Sequence, residues 1–145
     1  MTYEEKKKLL LSYKRIILQE KALNAELDLL REGVKAIQLT GMPHSGDQRD
    51  LSDVMVKSEN LLNRLQAVVD RKHETLRIIM TAIEQMSKED EKTILTLTYI
   101  EGMKLAEVAD AMTYTYRHLR RLHKRAVNNF SPEGYDEVQR DNTGL

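Results

Sequence analysis

The chain has no cysteine and no tryptophan, two prolines, six glycines and one phenylalanine in 145 residues. Without cysteine there is no disulfide framework and no thiolate metal site. The four histidines, His44, His73, His118 and His123, lack a paired ligand spacing for zinc. A reducing cytoplasm fits such a chain. Aromatics stand at 5%, hydrophobic residues at 41% and charged residues at 32%, a balance that suits long helices more than sheets. An all-α protein is therefore expected. No apolar run approaches the ~18 residues of a membrane span, and the first six residues, Met1 to Lys6, are charged where a signal peptide carries an apolar core. A soluble protein with no membrane partner is expected. There is no glycine-rich phosphate loop, no Ser or Cys nucleophile beside a credible base, and no set of carboxylates at metal spacing. Neither an enzyme nor a cofactor is expected, and the acids, scattered along helices, read as solvated surface.

Net charge is zero, which by itself argues against a generic polyanion binder. Its distribution is uneven. Between Thr115 and Phe130 stand Arg117, Arg120, Arg121, Lys124 and Arg125, with no acid among them, so the chain is locally cationic inside a neutral protein.

Two long stretches carry a heptad rhythm. Leu9, Tyr13, Ile16, Glu20, Leu23, Leu27, Leu30, Val34 and Ile37 make one apolar seam interrupted by Glu20. Leu51, Met55, Ser58, Leu62, Leu65, Val69, Lys72, Leu76, Ile79, Ile83 and Met86 make a second. Between them the Gly, Pro and Asp of Thr40 to Asp50 punctuate helices. Folded back as an antiparallel coiled-coil hairpin of about residues 3–38 and 51–86, the seams pair at a constant sum of residue numbers. Leu9 then meets Ile83, Leu27 meets Leu65, and the two charged interruptions, Glu20 and Lys72, meet each other. A further stripe on the second helix, Val54, Leu61, Val68 and Ala82, has no partner in a two-helix hairpin. It is expected to meet a second copy of the chain, in a four-helix bundle, or else the C-terminal domain.

From Ser87 the pattern shortens. Ser87 followed by Asp90 reads as an N-cap with an acid three residues on. It opens a helix from about Lys88 to Glu101 that buries Ile94, Leu95, Tyr99 and Ile100. Gly102 breaks it. Leu105 to Met112 is a short helix burying Leu105, Val108, Ala109 and Met112, Thr113 and Tyr114 turn the chain, and Thr115 caps a last helix to about Asn129. Residues 131–145 lack periodicity and are expected to be a flexible tail. The division expected is a helical hairpin over 1–86, a helix-turn-helix domain over 87–130 and the tail.

Two helices at that spacing make a helix-turn-helix. With Leu119, Leu122 and Ala126 turned inward, Arg117, Arg121, Lys124 and Asn128 share one outward stripe flanked by Tyr116 and Arg120. Such a face fits a DNA major groove, where Arg grips guanine through two hydrogen bonds and other cations hold phosphates. The competing reading of these cations is a solvated face, but solvated faces mix signs and this one does not. His118 and His123 read as packing or phosphate-side residues rather than ligands.

The run from Tyr99 through Met112, with Arg120 to Ala126 and Phe130, resembles sigma-70 region 4. The whole chain looks like the phage late transcription regulators of the ArpU and RinA type, in which a long helical part precedes a region-4-like end. The resemblance implies base-reading places for Tyr116, Arg117 and Arg121, phosphate contacts for Arg120 and Arg125, and a backbone contact for Lys104 at the start of the supporting helix. Thr115, Lys124 and these residues are the DNA-binding set. Sigma factors commonly carry Arg then Glu after the cap and Gln where Arg121 stands, so a −35 preference is not implied. Thr113 also replaces the glycine often found in the turn, at some strain.

The function expected is a sequence-specific transcription regulator of phage or prophage origin, activating late genes. It would bind double-stranded DNA as a homo-oligomer, most simply a dimer, and its sigma-like surface could also touch RNA polymerase. One rival is a DNA-packaging component of the small terminase type, which places its DNA-binding part first rather than last. The other is a protein-interaction module that keeps the helix-turn-helix only as scaffold.

Overall fold

A computed structural model of the chain describes residues 1–39 and 47–133, with the side chains of 36–39 and 47–50 left aside. Residues 40–46 of the expected interhelical loop, His44 with them, and 134–145 of the expected tail lie outside the described residues. The described residues form five α-helices: α1 (Tyr3–Leu39), α2 (Asp47–Glu84), α3 (Glu89–Leu95), α4 (Leu105–Met112) and α5 (Tyr116–Asn129). A π-helical turn, Thr96–Ile100, continues α3, and no strand occurs among the described residues. The all-α expectation holds. α2 starts at Asp47, inside the stretch expected to interrupt the helices and ahead of Leu51.

The chain forms two compact units. One is Ile16–Lys72; the other joins Met1–Arg15 to the chain from His73 onward. The unit carrying α3 to α5 thus also contains the first turns of α1 and the last turns of α2.

In the Ile16–Lys72 unit the two helices run antiparallel. Lys72 Nζ lies 2.7 Å from Glu20 Oε2, and Arg71 donates to Gln19 Oε1 at 3.0 Å. The two charged interruptions meet as the constant-sum register requires, at the edge of a core of Ile16, Leu23, Leu27, Leu61 and Val68, with Leu30 and Leu65 packed against it. Leu27 and Leu65 share that core. The face that α2 presents differs from the expected seam. Leu61 and Val68, assigned to a stripe awaiting a partner, are buried within the hairpin, whereas Met55 and Leu62, assigned to the seam, are 66% and 46% exposed. The physical reason is the helix repeat: at 3.6 residues per turn a heptad pattern drifts by about 20° each repeat. Leu61, Leu65, Val68 and Lys72 follow the straighter row. Ala82, the last member of that stripe, is buried in the other unit.

The second unit buries Leu9, Leu10 and Tyr13 of α1, Ile78, Ile79, Ala82 and Ile83 of α2, and Met86 beyond it. Lys6 Nζ donates to the Asn128 carbonyl oxygen at 2.7 Å, placing a cation on an otherwise unsatisfied carbonyl at the C-terminal end of α5. α5 packs on both α3 and α4, around Ile94, Val108, Ala109 and Leu119, with Leu97, Met103, Leu105, Met112, Tyr114 and Leu122 against them.

Local signals set the helix ends here, with one correction. Ser87 is not the cap of α3: Lys88, in extended conformation, holds the N-cap position without a side-chain bond. Its carbonyl accepts from Lys92 N at 3.1 Å, so the helix starts one residue later than a Ser87 cap would place it. Glu89, Asp90 and Glu91 fill the first turn, where acids favour the positive end of the helix dipole. At the far end Glu101 N donates to Thr96 O, and Met103 N to Leu97 O, both at 3.0 Å. This wide closure needs Gly102 at φ +74, a region glycine enters freely.

Candidate nucleic-acid interface

α4, its turn and α5 follow the expected bounds. α4 ends in a Schellman closure: Tyr114 N donates to Ala109 O at 2.9 Å and Thr113 N to Asp110 O at 3.2 Å. Thr113 takes the left-handed conformation, φ 59 and ψ 35, as the comparison with a glycine at this place anticipated. The turn is tied to α3 by the Tyr114 hydroxyl, which donates to Asp90 Oδ2 at 2.9 Å. That bond is the main reason the Tyr114 pKa is raised. Thr115 caps α5, its Oγ1 accepting from His118 N at 3.2 Å.

On α5, Leu119, His123, Ala126 and Val127 are buried. The opposite face carries Arg117, Arg120, Arg121, Lys124 and Asn128, all exposed. Tyr116, Arg117, Arg120, Arg121 and Lys124 line one open depression. The Arg120 guanidinium lies 5.8 Å from the centre of the Tyr116 ring, a cation–π distance. Arg125 is exposed a little further round the helix, and Lys104 is exposed in extended backbone just before α4. All eight sequence-nominated residues are therefore at the surface, five of them in one depression. The first turn of α5 holds no acid, although the dipole there favours one. Helix end and side chains add their positive potentials on the same side.

One polar residue of this unit escaped the sequence reading. Glu91, read with the other acids as solvated, is 2% exposed, and Asn129 Nδ2 donates to both its carboxylate oxygens, at 2.9 and 3.1 Å. His123 has the packing role: it is buried, and its Nε2 shares a 2.7 Å hydrogen bond with the Tyr99 hydroxyl. Burial, and secondly the charge of Lys7, lowers the His123 pKa; burial raises that of Tyr99. Both shifts favour the neutral pair. The available signal for Glu91 was its place on an inward helix face, one turn before Ile94 and Leu95.

Among the described residues no three His, Asp or Glu side chains come together to hold a metal ion, and no helix is long and apolar enough to cross a membrane. The family model of Sigma-70, region 4 matches residues 83–129. No curated protein and no solved structure gives a significant match to the chain. The segment from the last two residues of α2 to the end of α5 is thus a sigma-region-4-like helix-turn-helix domain, a DNA-binding class.

Proposed function

We propose that the chain is a sequence-specific transcription regulator that lays α5 in the major groove of double-stranded DNA. The observation that carries this reading is the outward face of α5, four exposed cations without an acid, on a domain that matches sigma-70 region 4. Tyr116, Arg117 and Arg121 read base edges. Arg120, Lys124 and Arg125 hold phosphates, with Thr115 at the cap and Lys104 touching the backbone before the supporting helix. Residues 1–86 dimerise the protein, 87–130 bind DNA, and 131–145 are a flexible tail. RNA polymerase is a second partner, as sigma region 4 domains bind DNA and contact the polymerase. Phage or prophage origin, late-gene activation and a cytoplasmic location follow from the resemblance to the ArpU and RinA regulators, supported by the order of helical part and region-4-like end.

Selection of duplexes from a random pool, followed by titration over a salt series, tests the reading. The Arg121→Ala protein is expected to lose preference at one base pair, at a cost of about 1–3 kcal/mol. Lys124→Ala should weaken all sequences alike and lower the salt slope by about one. Enrichment of no sequence by the parent protein would refute base reading. Absence of any duplex binding would leave the helix-turn-helix as a protein-interaction scaffold.

A further inference from the structure

We propose that Lys14, on α1 and outside the region-4 match, holds a DNA backbone phosphate beside Lys104, so that the first helix forms part of the DNA-binding surface. The inference rests on the DNA-binding reading above and extends it to an element that no helix-turn-helix contains.

A groove in the C-terminal unit is lined by Leu11 and Lys14 from α1 and by Met103, Lys104, Leu105 and Tyr116 from the helix-turn-helix side. Tyr116 also lines the depression of Arg117, Arg120, Arg121 and Lys124. One side chain therefore joins the two surfaces, and cationic groups continue from Lys124 past Tyr116 to Lys104 and Lys14. Both lysines are exposed, and neither belongs to an ion pair found among the described residues. The sequence around Lys14 is one-signed: from Lys6 to Gln19 α1 has no acid. Two unpaired ammonium groups on one groove repel each other, and an anion between or beside them removes that repulsion. The bond from Lys6 to the Asn128 carbonyl ties α1 to the recognition helix, so Lys14 is held in place relative to α5 before DNA arrives. A polyanion that passes along α5 is the ligand whose charges recur far enough to reach both the depression and the groove.

The test is a salt titration of the full-length protein on a duplex selected by the parent. Lys14→Ala should lower the slope of log affinity against log salt by about one, with base preference unchanged, and Lys14→Arg should restore it. Lys8→Ala removes the same charge from the same helix at an exposed position that does not line the groove, and should keep the parental slope. An unchanged slope in Lys14→Ala overturns the inference. So does an equal loss in Lys8→Ala, which would make the effect one of net charge. If Arg121→Ala loses its base preference while Lys14→Ala behaves as the parent, the DNA reading stands and only Lys14 falls. If the parent binds no duplex, both fall.

Discussion

Thr113 is a β-branched residue held at positive φ, where its Cβ crowds the backbone at a cost of about 1–2 kcal/mol. Its side chain is exposed and bonds only the neighbouring Met112 carbonyl. Thr113→Gly should therefore stabilise the protein by about 1 kcal/mol, seen as a higher melting temperature with DNA affinity unchanged. Gly102→Ala is the counterpart: nothing lies within 4 Å of an added Cβ, so a loss of about 1 kcal/mol would be backbone strain alone. His123 gives a pH dependence. Because burial lowers its pKa, the unfolded chain binds that proton more tightly than the folded one. Its contribution is complete above about pH 6.5, the ordinary value, and is lost as pH falls through the lowered folded value. The melting temperature should drop as pH falls below about 6.5, and His123→Gln should show a shallower drop; equal slopes would mean that another group titrates. Glu91 was hidden from a sequence reading because charge marks surface on average. Only the partner, Asn129, reveals the exception.

Along α2 the heptad rhythm and the geometry of a straight helix diverge. The register was legible, since Glu20 and Lys72 stand opposite each other as interruptions and do form an ion pair. The buried face was not, because a strict seven-residue repeat stays on one side only if the helices supercoil enough to absorb the drift. Met55 and Leu62 are left in water with Val56, and on α1 so are Leu18 and Leu29. If the hairpin dimerises as proposed, these side chains are the apolar surface it has to offer. Replacing Met55 and Leu62 together by Glu should convert a dimer to a monomer in sedimentation while leaving the melting temperature of the chain near that of the parent at matched low concentration. Leu61→Glu or Val68→Glu should instead lower it sharply, by burying a charge. A double Glu variant that unfolds would return Met55 and Leu62 to the core.

Over the whole molecule, local pattern gave the short C-terminal helices nearly to the residue: Leu105, Met112 and Asn129 are where capping and periodicity place them. What local pattern does not hold is the gathering of Met1–Arg15 with the chain from His73 onward. Its trace was the doubling of apolar positions at Leu9 and Leu10, Ile78 and Ile79, and Ala82 and Ile83, all buried. Two neighbouring buried residues widen a stripe beyond what one facing helix can cover. The side chains proposed to contact DNA were legible as residue types on one face of α5. The groove that Lys104 shares with Lys14 of α1 was not, since it depends on which helix lies beside Lys104.

That gathering also sets an order of events during synthesis. The Ile16–Lys72 unit is continuous in sequence, so its antiparallel contacts can close while the rest of the chain is still being made. The other unit has its two parts at opposite ends of the chain. Lys6 waits 122 residues for the Asn128 carbonyl it binds, and closing contacts so far apart is slow. Until α5 has left the ribosome Lys6 has no Asn128 carbonyl to bind, so a chain truncated before Asn128 would carry a finished hairpin and an N-terminal segment without its far partner.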